Sequence, residues 1–191
     1  MPVTDDQLYG RDALNKGEPW IVPEALEFLL TVLQPHWNVF EWGCGGSTVF
    51  FSKRCASLVG IEHNPEWIER VTQMMQRQQC PANWTMRYVQ GHGIDHMAAF
   101  REYANVILEY EDASFNLVSV DGEASCRGWC IDNALLKLKA GGYLLLDNSD
   151  WFKGELGWQR WDFVAKDMHY IGQPVYDWWT SIVRKPLEVV P

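Results

Sequence analysis

Basic residues are scarce in this chain: 16 lysines and arginines stand against 25 aspartates and glutamates over 191 residues, a formal net charge of -9. That balance repels a phosphate backbone, and the composition shows no compensating basic patch, so nucleic acid is not an expected partner. Cysteines are few as well. The five, at positions 44, 55, 80, 126 and 130, are odd in number and include no Cys-x-x-Cys pair. Neither a disulfide framework nor a structural zinc site is suggested, and a reducing cytoplasm fits. No stretch approaches the roughly 20 apolar residues that span a bilayer, so no membrane partner is expected. The opening Met1-Pro2-Val3-Thr4-Asp5-Asp6-Gln7 lacks both the basic and the apolar region of a secretory leader. Repeats, low-complexity tracts and long linkers are missing too. What the chain does have is 47% apolar and 21% charged residues, proportions that build a globular core, in a length suited to one domain with a modest appendage. It also has eleven tryptophans, each needing burial for its ring and a partner for its indole N–H.

Short apolar runs alternate with helical patterns, which reads as α/β with a parallel sheet. Pro23 suits the first turn of a helix through Ala25, Leu26, Leu29, Leu30 and Leu33, closed by Pro35. Strand patterns follow at Asn38 to Trp42, Ser57 to Ile61, Trp84 to Val89, Phe115 to Val120 and Tyr143 to Leu146. Between them, Asn64 and Pro65 open a helix with Trp67, Ile68, Val71, Met74 and Met75 on one face. Helices are also expected near Val49 to Lys53, over Ile94 to Leu108 and around Cys130 to Leu138, the last ending on the left-handed potential of Gly141-Gly142. Beyond that the pattern predicts a helix near Trp158 to Asp167 and strands near His169 to Ile171 and Trp179 to Val183. Residues 1–35 are read as a lid and helix and 36–191 as a single domain. The segment Gly10 to Ile21 is the candidate lid.

In an open parallel sheet, ligands bind beyond the carboxyl ends of the strands. Chemistry-bearing residues gather at those ends: Glu41 before the loop Gly43-Cys44-Gly45-Gly46-Ser47-Thr48, then Glu62, Gly91-His92, Asp121 and Asp147-Asn148. The loop's glycines allow a ligand close to the backbone, and its two hydroxyls precede a helix. A dinucleotide fingerprint would want a glycine where Thr48 stands, and Glu41 beside a pyrophosphate would repel it. Beside an ammonium or a sulfonium the same carboxylate would help. Glu62 suits a ribose diol of either kind of nucleotide.

On Val39-Phe40-Glu41-Trp42-Gly43-Cys44-Gly45-Gly46-Ser47-Thr48, Glu62, Val120-Asp121-Gly122 and Gly141-Gly142-Tyr143-Leu144-Leu145-Leu146-Asp147-Asn148, the sequence resembles the class I S-adenosylmethionine-dependent methyltransferases over about residues 36 to 150. The resemblance implies a Rossmann-like seven-stranded, mostly parallel sheet of order 3-2-1-4-5-7-6, its last strand antiparallel, with helices on both faces. It implies S-adenosylmethionine as cofactor. Glu41, Gly43 and Gly45 would line its methionine end, Ser47 or Thr48 would help its carboxylate, Glu62 would hold the ribose hydroxyls and His92 would lie near adenine. Asp121, Asp147 and Asn148 become the catalytic candidates, with Asp121 as base or orienting group and a small-molecule oxygen or nitrogen nucleophile as acceptor.

Asp121 and Asp147-Asn148 also resemble, more loosely, the metal site of the caffeoyl-CoA-type O-methyltransferases. Asp121 is followed by Gly122-Glu123 without the lysine usual there, so a divalent metal is possible but not favoured. His92 and His96 lack a local third zinc ligand. Asp147-Asn148 could equally form a turn before Ser149-Asp150. Cys126 and Cys130, four apart, read as packing. Arg127 fits a substrate carboxylate and a sheet-edge structural role equally, and Trp151, after the fifth strand, is the tryptophan placed nearest the site. Two other functions remain in view: an adenosyl-ligand-binding module without turnover, and a dinucleotide-dependent oxidoreductase.

Overall fold

A computed structural model of the chain describes residues 12–90, 96–152, 162–173 and 176–187. After a short helical stretch at 12–16, the elements are α1 (Pro23–Val32), β1 (Asn38–Trp42), α2 (Gly46–Ser52), β2 (Ser57–Glu62), α3 (Pro65–Arg77), β3 (Trp84–Tyr88), α4 (His96–Asn105), β4 (Phe115–Val120), α5 (Arg127–Lys137), β5 (Leu138–Asp147), β6 (Asp162–Gln173) and β7 (Tyr176–Arg184). Single 3-10 turns lie at Val106–Glu109, Ala124–Cys126 and Ser149–Phe152. The strands are hydrogen-bonded in the order β3-β2-β1-β4-β5-β7-β6. β1 to β5 are mutually parallel, and β7 runs antiparallel to both β5 and β6.

Both faces of the sheet are covered, as an α/β reading requires, and the alternation of side chains along each strand shows how. Phe40 and Trp42 of β1, Val118 and Val120 of β4, and Leu144 and Leu146 of β5 point to one face, where they pack with Tyr103, Ile107, Cys130, Ile131 and Ala134. Their neighbours Val39, Leu117, Tyr143 and Leu145 point to the other, against Ala25 and Leu29 of α1 and Phe50 and Phe51 of α2. α3 closes that second face with Val71, Met74 and Met75. Asn64 caps α3 by accepting from the Trp67 N–H at 3.1 Å, and Pro65 fills its first position.

Three expectations change. The helix read over Trp158 to Asp167 is a strand from Asp162 onward, because hydrogen bonding to β7 overrides a local pattern that fits either state; residues 158–161 lie outside the described residues. α5 stops at Lys137, so Gly141-Gly142 does not cap it. Gly141 instead takes φ +74 inside β5, where the pairing register shifts between Phe115 and Leu117 and lets the strand start at Leu138. The Val49 to Lys53 helix begins three residues earlier, at Gly46.

Candidate functional site

The parallel register brings the carboxyl ends of β1, β2, β4 and β5 to one edge of the sheet. Glu41, Glu62, Asp121, Asp147 and Asn148 stand there, the predicted strand-end set. His92 lies outside the described residues.

The chain turns sharply after β1. Gly43 takes φ +88, and a Cβ on it would come within 2.6 Å of the Asp121 carbonyl oxygen, so only glycine allows the loop to cross the end of β4 this closely. A Cβ on Gly45 would meet nothing within 4 Å, which leaves open space at the loop's crest. Gly46 is pressed from above: its missing Cβ would lie 2.0 Å from the carbonyl of Glu18 and 2.5 Å from that of Ala13. Ala13 and Glu18, in the described part of the segment read as a lid, therefore rest on the glycine loop. The loop's hydroxyls are spent internally. Ser47 donates to Glu41 Oε2 at 2.7 Å, and Thr48 Oγ1 accepts from the Gly45 N–H at 2.8 Å.

Glu41 is fully buried, and its second carboxylate oxygen, Oε1, has no hydrogen-bond partner. Burial pushes its pKa up to about 8, against the opposing pull of the neighbouring Thr48 and Ser47 hydroxyls. The carboxyl is thus mostly protonated at neutral pH. Glu62 is buried too and staples the site together. Its Oε2 accepts from the Cys44 N–H at 3.1 Å, and its Oε1 accepts from the N–H groups of His63 and Asn64 at 2.8 Å each. Burial still raises its pKa above the ordinary carboxylate value, despite His63 and these backbone donors. Above them, the Trp67 indole donates to the Cys44 carbonyl at 2.6 Å.

At the ends of β4 and β5 the organiser is Arg127, a residue that the sequence left balanced between two roles. Its buried guanidinium donates from Nε to the Gly122 carbonyl at 3.1 Å, from Nη1 to the Asp147 carbonyl at 2.6 Å and to Asn148 Oδ1 at 3.1 Å, and from Nη2 to Asp121 Oδ1 at 3.1 Å. One signal could have marked it: Arg127 is the sole lysine or arginine between Tyr110 and Leu136, a stretch holding five acids. A buried cation beside the half-buried Asp121 carboxylate and the Asp147-Asn148 turn stands where the looser resemblance would put a metal. Among the described residues no three His, Cys, Asp or Glu side chains converge as metal ligands.

Asp121 keeps about a third of its side chain exposed. Desolvation by the surrounding protein raises its pKa to about 6, against the pull of Arg127. Asp147 differs. It is buried, its Oδ1 accepts from the Thr180 hydroxyl, and that hydroxyl in turn accepts from the Val22 N–H at 3.2 Å. Its pKa is pushed well up, first by burial and then by the nearby Asp121 charge. Asn148 is held at φ +51, a turn conformation tolerated by asparagine, with its side chain on Arg127. So Asp121 keeps part of its carboxylate open to solvent, whereas Asp147 is engaged by Thr180 and Asn148 by Arg127.

Solved structures share this architecture. A methyltransferase-like protein from Silicibacter pomeroyi superimposes with a TM-score of 0.66 over 91% of this chain and 91% of its own, at 15% identity. An rRNA methylase from Streptococcus thermophilus gives 0.62 over 84% and 93%, at 14% identity. A putative methyltransferase from Streptococcus mutans, in complex with SAH, gives 0.61 over 86% and 98%, at 15% identity. The chain has the class I methyltransferase fold. No family model and no curated protein sequence matches it. Among the described residues no helix is long and apolar enough to cross a membrane.

Proposed function

We propose that this chain is an S-adenosylmethionine-dependent methyltransferase acting on an oxygen or nitrogen nucleophile of a small molecule. The observation that carries the reading is Glu41: a fully buried carboxyl with one unpartnered oxygen, at the base of a glycine loop whose crest at Gly45 is open. A buried, unsatisfied carboxylate costs stability unless a cation compensates it, and the ammonium of the methionine moiety is such a cation. A pyrophosphate would worsen the same position.

When bound, S-adenosylmethionine supplies a methyl group already activated on a sulfonium. The chain's own residues then position and deprotonate. Glu41, Gly43 and Gly45 receive the methionine end, with Ser47 and Thr48 acting one step back, holding the Glu41 carboxylate and the Gly45 amide. Glu62 takes the ribose hydroxyls on the lone pairs that its backbone donors leave free, and His92 serves adenine. Asp121, ionised above about pH 6, is the group able to accept the acceptor's proton. Arg127, itself anchored on the Asp147 carbonyl and on Asn148, holds Asp121 in place. The net charge of -9 favours a small acceptor over nucleic acid, and five unpaired cysteines, four of them buried, fit a cytoplasmic enzyme.

The test is thermal unfolding with each ligand, since a ligand that binds only the native state raises its stability. S-adenosylhomocysteine should raise the midpoint by several degrees and NAD should not. Stabilisation by NAD alone would overturn the proposal.

A further inference from the structure

We propose that the exposed indole of Trp151 is the platform on which the methyl acceptor lies, and that the acceptor is a neutral, planar aromatic carrying the nucleophilic hydroxyl or amine. The inference names the substrate class of the site above and rests on that reading.

Trp151 leaves 56% of its surface to water. A solitary exposed tryptophan on a loose loop would mean little, but this one is held out by a braced turn. Asn148 enters the turn in the left-handed conformation, and the Trp151 N–H donates to its carbonyl at 3.1 Å. The Ser181 hydroxyl of β7 donates to Ser149 Oγ at 2.8 Å, and the Trp179 N–H donates to Asp150 Oδ1 at 3.1 Å. The chain thus fixes a large ring in solvent at the carboxyl end of β5, where folding alone would favour hiding it.

Position gives the ring its role. The guanidinium carbon of Arg127 lies 5.3 Å from the Trp151 ring centroid, and the same guanidinium donates to Asp121 Oδ1 at 3.1 Å. Indole and carboxylate therefore flank one planar group. A ring resting on Trp151 can carry a substituent to Asp121. The surroundings also select against other chemistries. Arg127 already meets the preference of the indole for a cation, so a cationic acceptor gains nothing further from the ring. The hydroxyls of Ser149 and Ser181 are bonded to each other and Asp150 is engaged by backbone, so the turn offers few groups to a polyol. A flat neutral π-system needs none of them, only stacking area.

In the transfer, a lone pair on the acceptor oxygen or nitrogen forms the new bond to the methyl carbon. The pair of the broken S–C bond returns to sulfur, leaving the neutral thioether S-adenosylhomocysteine, and the acceptor's proton passes to the Asp121 carboxylate.

The experiment is titration calorimetry of the full chain, with and without saturating S-adenosylhomocysteine, using 2-naphthol and its saturated counterpart decahydro-2-naphthol as probes. The parent should bind 2-naphthol about tenfold more tightly than the saturated alcohol. Trp151→Ala should lose that preference with its affinity for S-adenosylhomocysteine unchanged, and Trp151→Phe should keep most of it. Equal binding of both probes to the parent, undiminished 2-naphthol binding by Trp151→Ala, or no 2-naphthol binding at all would overturn the proposal. If S-adenosylhomocysteine itself fails to bind, the cofactor reading falls, and the unloaded titrations still decide the role of Trp151.

Discussion

Arg127 donates to Asp121 Oδ1 at 3.1 Å across the seam between β4 and β5, and it is the cation at this end of the sheet that keeps a desolvated aspartate ionisable. Removing it should have two separable effects. In Arg127→Met the Asp121 pKa should rise above its parent value of about 6, since a lost positive neighbour no longer favours the charged form. Carbon-13 NMR titration of the aspartate side chains measures this directly. An unchanged midpoint would detach Arg127 from Asp121. The variant should also lose about 2 to 4 kcal/mol of stability in urea, because the buried Asp147 carbonyl and the half-buried acceptors of Gly122 and Asn148 lose their donor.

Glu41 should weaken the fold at alkaline pH. Its pKa is raised from 4.5 to about 8 in the folded state, so the fold favours the protonated form. The associated stability is fully present below pH 4.5 and is lost as pH rises through 8. Glu41→Gln keeps an acceptor for Ser47 and carries no charge. It should match the parent near pH 5 and exceed it at pH 9 by an amount on the order of 1 to 4 kcal/mol, read from urea midpoints. An equal difference at both pH values would mean that this carboxyl is not the titrating group.

The strand ends were legible because their signals are local: Glu41 before glycines, Glu62 after the strand Ser57 to Ile61, Asp121-Gly122 and Asp147-Asn148 closing apolar segments. A parallel sheet then gathers them at one edge without further instruction. Arg127 was not legible in this way. Two of its four bonds reach positions 20 and 21 residues away and exist only once β4 and β5 are side by side. The link from Val22 through Thr180 to Asp147 joins residues 158 positions apart and depends on β7 docking beside β5. The stretch from Asp162 was misread for the same reason, since only its antiparallel partner distinguishes strand from helix there.

Thr180 tests that long-range link. Thr180→Val preserves shape while removing the acceptor of the Val22 N–H and the hydroxyl donor to Asp147 Oδ1, and should cost about 1 to 3 kcal/mol in chemical denaturation. Thr180→Ser should recover most of it. A loss in Thr180→Ser with none in Thr180→Val would assign the contribution of Thr180 to packing of its methyl.

Gly43 tests the turn. Gly43→Ala places a Cβ 2.6 Å from the Asp121 carbonyl at a φ of +88, a strain with no flexible neighbour to relieve it. A loss of about 1 to 3 kcal/mol is expected, together with weaker S-adenosylhomocysteine binding by calorimetry. Gly45→Ala, facing open space, should be tolerated far better for folding.

The most direct test of the account is titration calorimetry with S-adenosylmethionine from pH 6 to 8, in two buffers of different ionisation enthalpy. Because Glu41 is largely protonated before a cation binds, affinity should be micromolar, should strengthen with rising pH up to about 8, and should come with release of a proton that Glu41→Gln abolishes along with most of the binding. Binding that is absent throughout this range, or that proceeds unchanged in Glu41→Gln, would contradict it.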